Sequence, residues 1–150
     1  MTAHASTVRL ERWFHATPER MFAAWTEPAL LARWMFGPAI RDEEIVHLEV
    51  DPRPGGAFSF LVRREGQEFD HVGVYLRFER PHHLSFTWGV GEPRDDASRV
   101  ELALEAELDG VSLTLVHVLP PEAARFVPQT QAGWMRMLGA LAPAVEDKAG

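Results

Sequence analysis

Among the seven histidines of this 150-residue chain, His117 has the setting that best suits chemistry. It keeps period-two register with Val111, Leu113 and Leu115, so its ring faces the apolar side of its strand. An imidazole half-buried there can orient a ligand carbonyl or carry a proton. It can equally be structural, satisfied by a backbone carbonyl or a helix side chain. His82 and His83 adjoin in a turn after Pro81, which fits a solvated corner better than a metal site, and His4 lies close to the N-terminus. The run Asp42-Glu43-Glu44 reads as a solvated loop, and Arg63 and Glu101 as solvent-facing charges. No spacing pairs a nucleophile with a base, two working carboxylates or a set of metal ligands. No catalytic residue, metal or cofactor is therefore expected. The aromatic residues Phe58, Phe60, Phe86, Trp88 and Trp134 remain, as core or as the wall of a cavity. With His117 they form the candidate ligand-binding set.

Composition narrows the partners. The formal charge is −7 without a cluster of Lys and Arg, so phosphate backbones find no electrostatic footprint and nucleic acid is not expected. With no cysteine there is no disulfide, thiolate metal site or Cys nucleophile, which agrees with a reducing compartment. No run reaches the length of a membrane span, and Met1 to Thr7 lack the apolar core of a signal peptide. Cytoplasm is the default location, and membrane insertion is not expected. A hydrophobic fraction of 46% with 25% charged residues suits one folded domain.

The elements that must position these residues follow from periodicity. Val8 to Phe14 alternates as a strand, with Val8, Leu10 and Phe14 on one face and Trp13 on the other. Trp13 is either a dimer patch or an isolated surface aromatic. Thr17-Pro18 starts a helix to Trp25, and Pro28 starts a second to Trp34 that Gly37-Pro38 stops. From residue 45 the period is two. Val46, Leu48 and Val50 share a face, then Phe58, Phe60 and Val62. In the next strand Val72, Val74, Leu76 and Phe78 share a face, with Gly73 as a bulge or kink. Leu84, Phe86 and Trp88 follow, with a polar loop over Gly89 to Ala97. Ser98 to Leu108 and Val111 to Leu119 make a hairpin about Asp109-Gly110. After Pro120 and Pro121 a turn of helix fits Glu122 to Phe126. A last helix from near Gln129 carries Trp134, Met137 or Leu138, Leu141 and Val145 on one face, with Pro143 placed to kink its end.

One strand, two short helices, five or six antiparallel strands and one amphipathic helix make an α+β layout. The inner sheet face needs a long apolar partner, and only the last helix supplies one. A twisted sheet curled about that helix leaves space at its open end for the two short helices to roof, so a pocket is expected between sheet, roof and helix.

In the order Ala16-Thr17-Pro18-Glu19-Arg20, Trp34-x-Phe36-Gly37-Pro38, Pro54-Gly55-Gly56-x-Phe58, His71-Val72-Gly73, Glu79-Arg80-Pro81 with Leu84-x-Phe86-x-Trp88, Leu113-Thr114-Leu115-x-His117 and Gly133-Trp134, the chain resembles the START-like superfamily, also called SRPBCC or Bet v 1-like. Within it the chain is similar to the family named after the activator of the heat-shock-protein ATPase, from about Val8 to Val145. The resemblance implies a helix-grip fold in a single domain with its core at about 8–146. Its roles range over lipid and hormone carriage, polyketide cyclisation, self-sacrificing antibiotic resistance and co-chaperone activity. The co-chaperone relies also on a separate N-terminal domain for which 150 residues leave no room, which weighs against a chaperone partner. The expected function is non-catalytic binding of a small hydrophobic or aromatic ligand between sheet and last helix. The alternatives are a cyclase- or hydrolase-like enzyme using His117 as acid or base, and a co-chaperone-type interaction domain.

Overall fold

A computed structural model of the chain describes residues 6–91 and 98–146. The alternating segments become seven strands: β1 (Thr7–Phe14), β2 (Glu44–Val50), β3 (Ala57–Arg64), β4 (Gln67–Glu79), β5 (His83–Val90), β6 (Ser98–Glu107) and β7 (Gly110–Val118). They form one antiparallel sheet in the order β1-β7-β6-β5-β4-β3-β2, so the first strand closes onto the last. Two helices, α1 (Pro18–Thr26) and α2 (Pro28–Trp34), follow β1, and the chain ends on α3 (Val127–Val145). This is the helix-grip architecture.

Local chemistry explains the helix boundaries. Thr17 Oγ1 accepts from the Arg20 N–H at 3.1 Å, and Pro18 gives up no hydrogen bond at the first helical position. α3 begins two residues earlier than Gln129 because Pro128 fits a first turn, where its missing N–H costs nothing. A 3₁₀ helix at Pro121–Phe126 leads into it. The buried face of α3 carries Trp134, Leu138, Leu141, Ala142, Ala144 and Val145, and it is the long apolar partner that the sheet requires.

Parity was overturned in two strands, and each time by an extra residue in the ladder. On β2 the register shifts between Ile45 and His47, which turns Val46 out to solvent while Ile45, Leu48 and Val50 stay half-buried. On β4 the irregularity falls between Tyr75 and Arg77 and not at Gly73. The inner face therefore reads Phe69, His71, Gly73, Tyr75 and then Phe78. Leu76 is 50% exposed, and Val72 and Val74 lie on the other face. Gly73 is glycine for closeness: a Cβ there would sit 1.9 Å from the Thr87 carbonyl oxygen and 2.5 Å from the Phe58 ring.

The hairpin forms one residue earlier than its dipeptide suggests. Glu107 pairs with Gly110, so the loop is Leu108-Asp109 and Asp109 carries the positive φ of 61°. Gly110 is needed instead because Trp13 lies against it, 2.4 Å from where a Cβ would be. β5 runs on through Gly89 to Val90; the remainder of the expected polar loop, 92–97, and His4 lie outside the described residues.

Glu43 departs furthest from expectation. It is not in a solvated run but is only 5% exposed, accepting the Gly37 N–H at 2.7 Å and an Arg41 N–H at 3.1 Å, with Arg64 3.5 Å from its other oxygen. It ties the segment after α2 to the sheet. Asp42 and Glu44 do face solvent, as do Arg63 and Glu101.

Candidate functional site

Phe58 and Phe60 on β3 and Phe86 and Trp88 on β5 all lie on the inner face of the sheet, in or against the core to which α3 also contributes. Their rings touch: Phe58 stacks on Phe60 at 4.7 Å, meets Phe86 edge-on at 5.6 Å and lies 6.0 Å from Trp88. Between β3 and β5 runs β4, whose Gly73 leaves room for the Phe58 ring. Tyr75, which parity had placed outside, joins this set 5.4 Å from Phe58, and burial pushes its phenol pKa up. The wall grades from buried Phe58, Phe60, Tyr75 and Phe86 to half-buried Trp88 and His71, whose rings are 5.5 Å apart.

The other two predicted residues, His117 and Trp134, form a second group beside the wall. The Trp134 indole N–H donates to His117 Nδ1 at 2.9 Å, and His117 Nε2 lies 2.9 Å from Ser98 Oγ, which donates to the Trp88 carbonyl at 2.8 Å. An indole can only donate, so Nδ1 of the neutral ring is unprotonated and Nε2–H donates to Ser98. This buried chain joins α3 to β7, β6 and β5. Nothing in the sequence marked Ser98; its position opposite Trp88 and one strand from His117 emerges only from the register.

A serine 2.9 Å from a buried histidine invites comparison with a nucleophile and its base. Here the polarity is reversed. In a working pair the second ring nitrogen is protonated and held by an acceptor, which leaves Nε2 free to take the serine proton. Trp134 presents a donor instead, so Nε2 already carries a proton and the serine hydroxyl is spent on a carbonyl. Burial also lowers the His117 pKa to about 4, so the ring is neutral near pH 7. Both nitrogens are engaged within the protein.

α1 and α2 contribute indoles to the same interior. Trp25 lies 4.7 Å from Trp34 and 5.7 Å from Trp134. Trp34 donates to the Ala24 carbonyl at 2.9 Å, whereas the buried Trp25 Nε1 has no partner among the described residues. That donor was not singled out in the sequence, where Trp25 is only the last residue of an amphipathic turn.

A cleft of about 440 Å³ opens between the segment after α2 (Ala39, Ile40, Arg41) and α3 (Gly133, Arg136, Met137, Ala140), and Met137 and Ala140 pack on the core. A wider cleft of about 800 Å³ lies outside the grip, around Glu43 to Val46 and Arg63 to Gly66, away from the aromatic wall. Of the two, the first adjoins the core, through Met137 and Ala140. His82 bonds the Leu104 carbonyl at 3.1 Å and His83 lies near Glu79, and no three His, Asp or Glu side chains among the described residues converge with metal-binding geometry. No helix among the described residues is long and apolar enough to cross a membrane.

The profile of one family, described as Activator of Hsp90 ATPase homolog 1-like protein, matches residues 15–146. Among solved structures, protein CV1439 from Chromobacterium violaceum is 27% identical with a TM-score of 0.79, over 95% of this chain and 99% of that one. The AHSA1-like protein from Aeromonas hydrophila is 26% identical with a TM-score of 0.78, over 95% and 94%. CalU16 from Micromonospora echinospora is 26% identical with a TM-score of 0.67, over 95% and 78%. No functionally curated protein gives a significant sequence match.

Proposed function

The chain belongs to the Activator of Hsp90 ATPase homolog 1-like family, and from that premise we propose that it is a non-catalytic binder of a small hydrophobic or aromatic molecule, held between the inner sheet face and α3. The observation that carries this reading is the buried Trp25 N–H, a donor without a partner among the described residues in an interior walled by aromatic rings. A plain core has no use for such a group, because an unsatisfied buried donor costs about 1–3 kcal/mol. A ligand oxygen that accepts it recovers that cost. Phe58, Phe60, Phe86, Trp88 and Trp134 supply apolar contact worth about 25 cal/mol for each Å² removed from water. His117 serves by holding Trp134 and the Trp88 strand in place. The cleft beside Met137 is the route in. The cysteine-free sequence suits a binder working in the cytoplasm.

Titration with 1-anilinonaphthalene-8-sulfonate under native conditions, read by dye emission and by tryptophan quenching, tests the proposal. Saturable binding at one site, weakened by Trp25→Phe in a protein that remains folded, is expected. An absence of saturable binding refutes it. A protein-interaction domain of the co-chaperone type is the second reading, favoured by the family description alone; stimulation of a chaperone ATPase by the purified protein would support that reading instead.

A further inference from the structure

Two histidines lie on the inner face of the sheet beside the aromatic wall, and they differ in what they leave open. His117 has both nitrogens engaged. His71, opposite Phe60 in the β3–β4 ladder, places Nδ1 3.0 Å from the Phe60 carbonyl oxygen. A carbonyl only accepts, so Nδ1 carries the proton and the neutral ring holds its lone pair on Nε2. Nε2 has no partner among the described residues. The ring is fixed on both sides as well, 4.9 Å from Phe36 and 5.5 Å from Trp88, and is half-buried where the aromatic wall becomes accessible. Burial lowers the proton affinity of the ring against the opposing hydrogen bond to the Phe60 carbonyl, with Arg64 and Arg41 acting in the direction of burial and Glu43 against it, and the net lowering keeps Nε2 an acceptor near neutrality.

We infer that His71 is the specificity-determining residue of this site, its Nε2 accepting a hydrogen bond from a hydroxyl or N–H on an aromatic ligand seated against Trp88. The inference rests on the binder reading above and adds the class of ligand: phenols and ring N–H compounds are favoured over their methylated counterparts. Tautomer and ring position are set by Phe60, Phe36 and Trp88 before any ligand arrives, so little ordering is needed on binding.

The probes are 2-naphthol, which donates, and 2-methoxynaphthalene, which has the same ring system and cannot. The quantity to compare is the ratio of their affinities in the wild-type protein and in His71→Phe, since the ratio cancels the difference in hydrophobicity between the probes. Phenylalanine keeps an aromatic ring between Phe36 and Trp88 and removes the acceptor. The naphthol preference should fall by roughly two- to twelvefold in the variant, through weaker naphthol binding alone. An unchanged ratio with both probes bound overturns the role of His71 and leaves the cavity standing. Failure of both probes to bind the wild-type protein overturns the cavity reading and this inference with it. Should the variant not fold, ¹⁵N NMR of imidazole-labelled wild-type protein decides the matter. The Nε2 resonance of His71 must move on addition of 2-naphthol and stay put with 2-methoxynaphthalene; an Nε2 signal indifferent to saturating naphthol refutes the proposal.

Discussion

Replacing Trp134 with alanine should remove the main strut between α3 and the sheet. The side chain is buried, packs 5.7 Å from Trp25 and donates to His117 Nδ1 at 2.9 Å. Truncating a buried indole costs about 3–5 kcal/mol, and leaving the buried acceptor on His117 unpaired adds to it by up to about 1–3 kcal/mol. Against a total stability of about 5–15 kcal/mol, the expected loss is at least a fifth of the whole. Trp134→Phe helps to separate the two contributions, since it keeps an aromatic ring while removing the donor and the smaller ring of the indole; the loss should be smaller than for Trp134→Ala and include about 1–3 kcal/mol for the unpaired acceptor. Arg99→Ala is the control. Its side chain is half-exposed and pairs with Glu101 at 2.9 Å, an interaction worth at most about 1 kcal/mol. Urea denaturation followed by circular dichroism gives each value, with unchanged m-values showing that the shift is one of stability. If Trp134→Ala falls within about 1 kcal/mol of Arg99→Ala, α3 does not fill the grip and the architecture argued from it is wrong.

Stability should also fall with acid in a particular window. The folded protein holds the His117 pKa near 4 whereas an unfolded histidine titrates near 6.5, so the unfolded chain binds the proton first. The contribution is complete above about pH 6.5 and is lost progressively down to about pH 4, amounting to about 3 kcal/mol; a His117→Phe variant should show a flatter pH–stability curve across that window. Glu43→Gln should cost about 1–3 kcal/mol through weakened bonds to Gly37 and Arg41. Glu44→Gln, on the exposed pair with Arg63, should cost less than about 1 kcal/mol by the same urea assay.

Order of elements, helix starts and the inner faces of β3, β5, β6 and β7 were legible because each rests on a local rule: proline at a first turn, alternation along a ladder, an apolar stripe on a long helix. β2 and β4 were misread because one extra residue in a strand inverts every side chain beyond it, and no residue type announces it. Gly73 drew attention as the candidate bulge, yet the ladder breaks at Leu76 and the glycine serves the Phe58 ring. The same inversion hid Tyr75. Glu43 was hidden for a different reason: a carboxylate among carboxylates looks solvated until the fold brings Gly37, Arg41 and Arg64 around it.

The candidate site shows the same division. Alternation placed Phe58, Phe60, Phe86, Trp88 and His117 on the inner face, but the role of an inward histidine depends on its hydrogen-bond partners, which lie 17 and 19 residues away in sequence. Trp134 fixes His117 in the tautomer that cannot deprotonate Ser98, and a ring neutral at pH 7 with both nitrogens engaged supports neither general acid nor general base work. An acid–base mechanism centred on His117 would require that chain to be broken, and with it the link between α3 and the strand that bears Trp88. On the proposed binding function, selectivity comes from polar atoms without a partner among the described residues. Trp25 Nε1 offers a donor and His71 Nε2 an acceptor, both set among aromatic rings, and a phenolic oxygen can answer either one: its lone pairs suit the indole and its proton suits the imidazole.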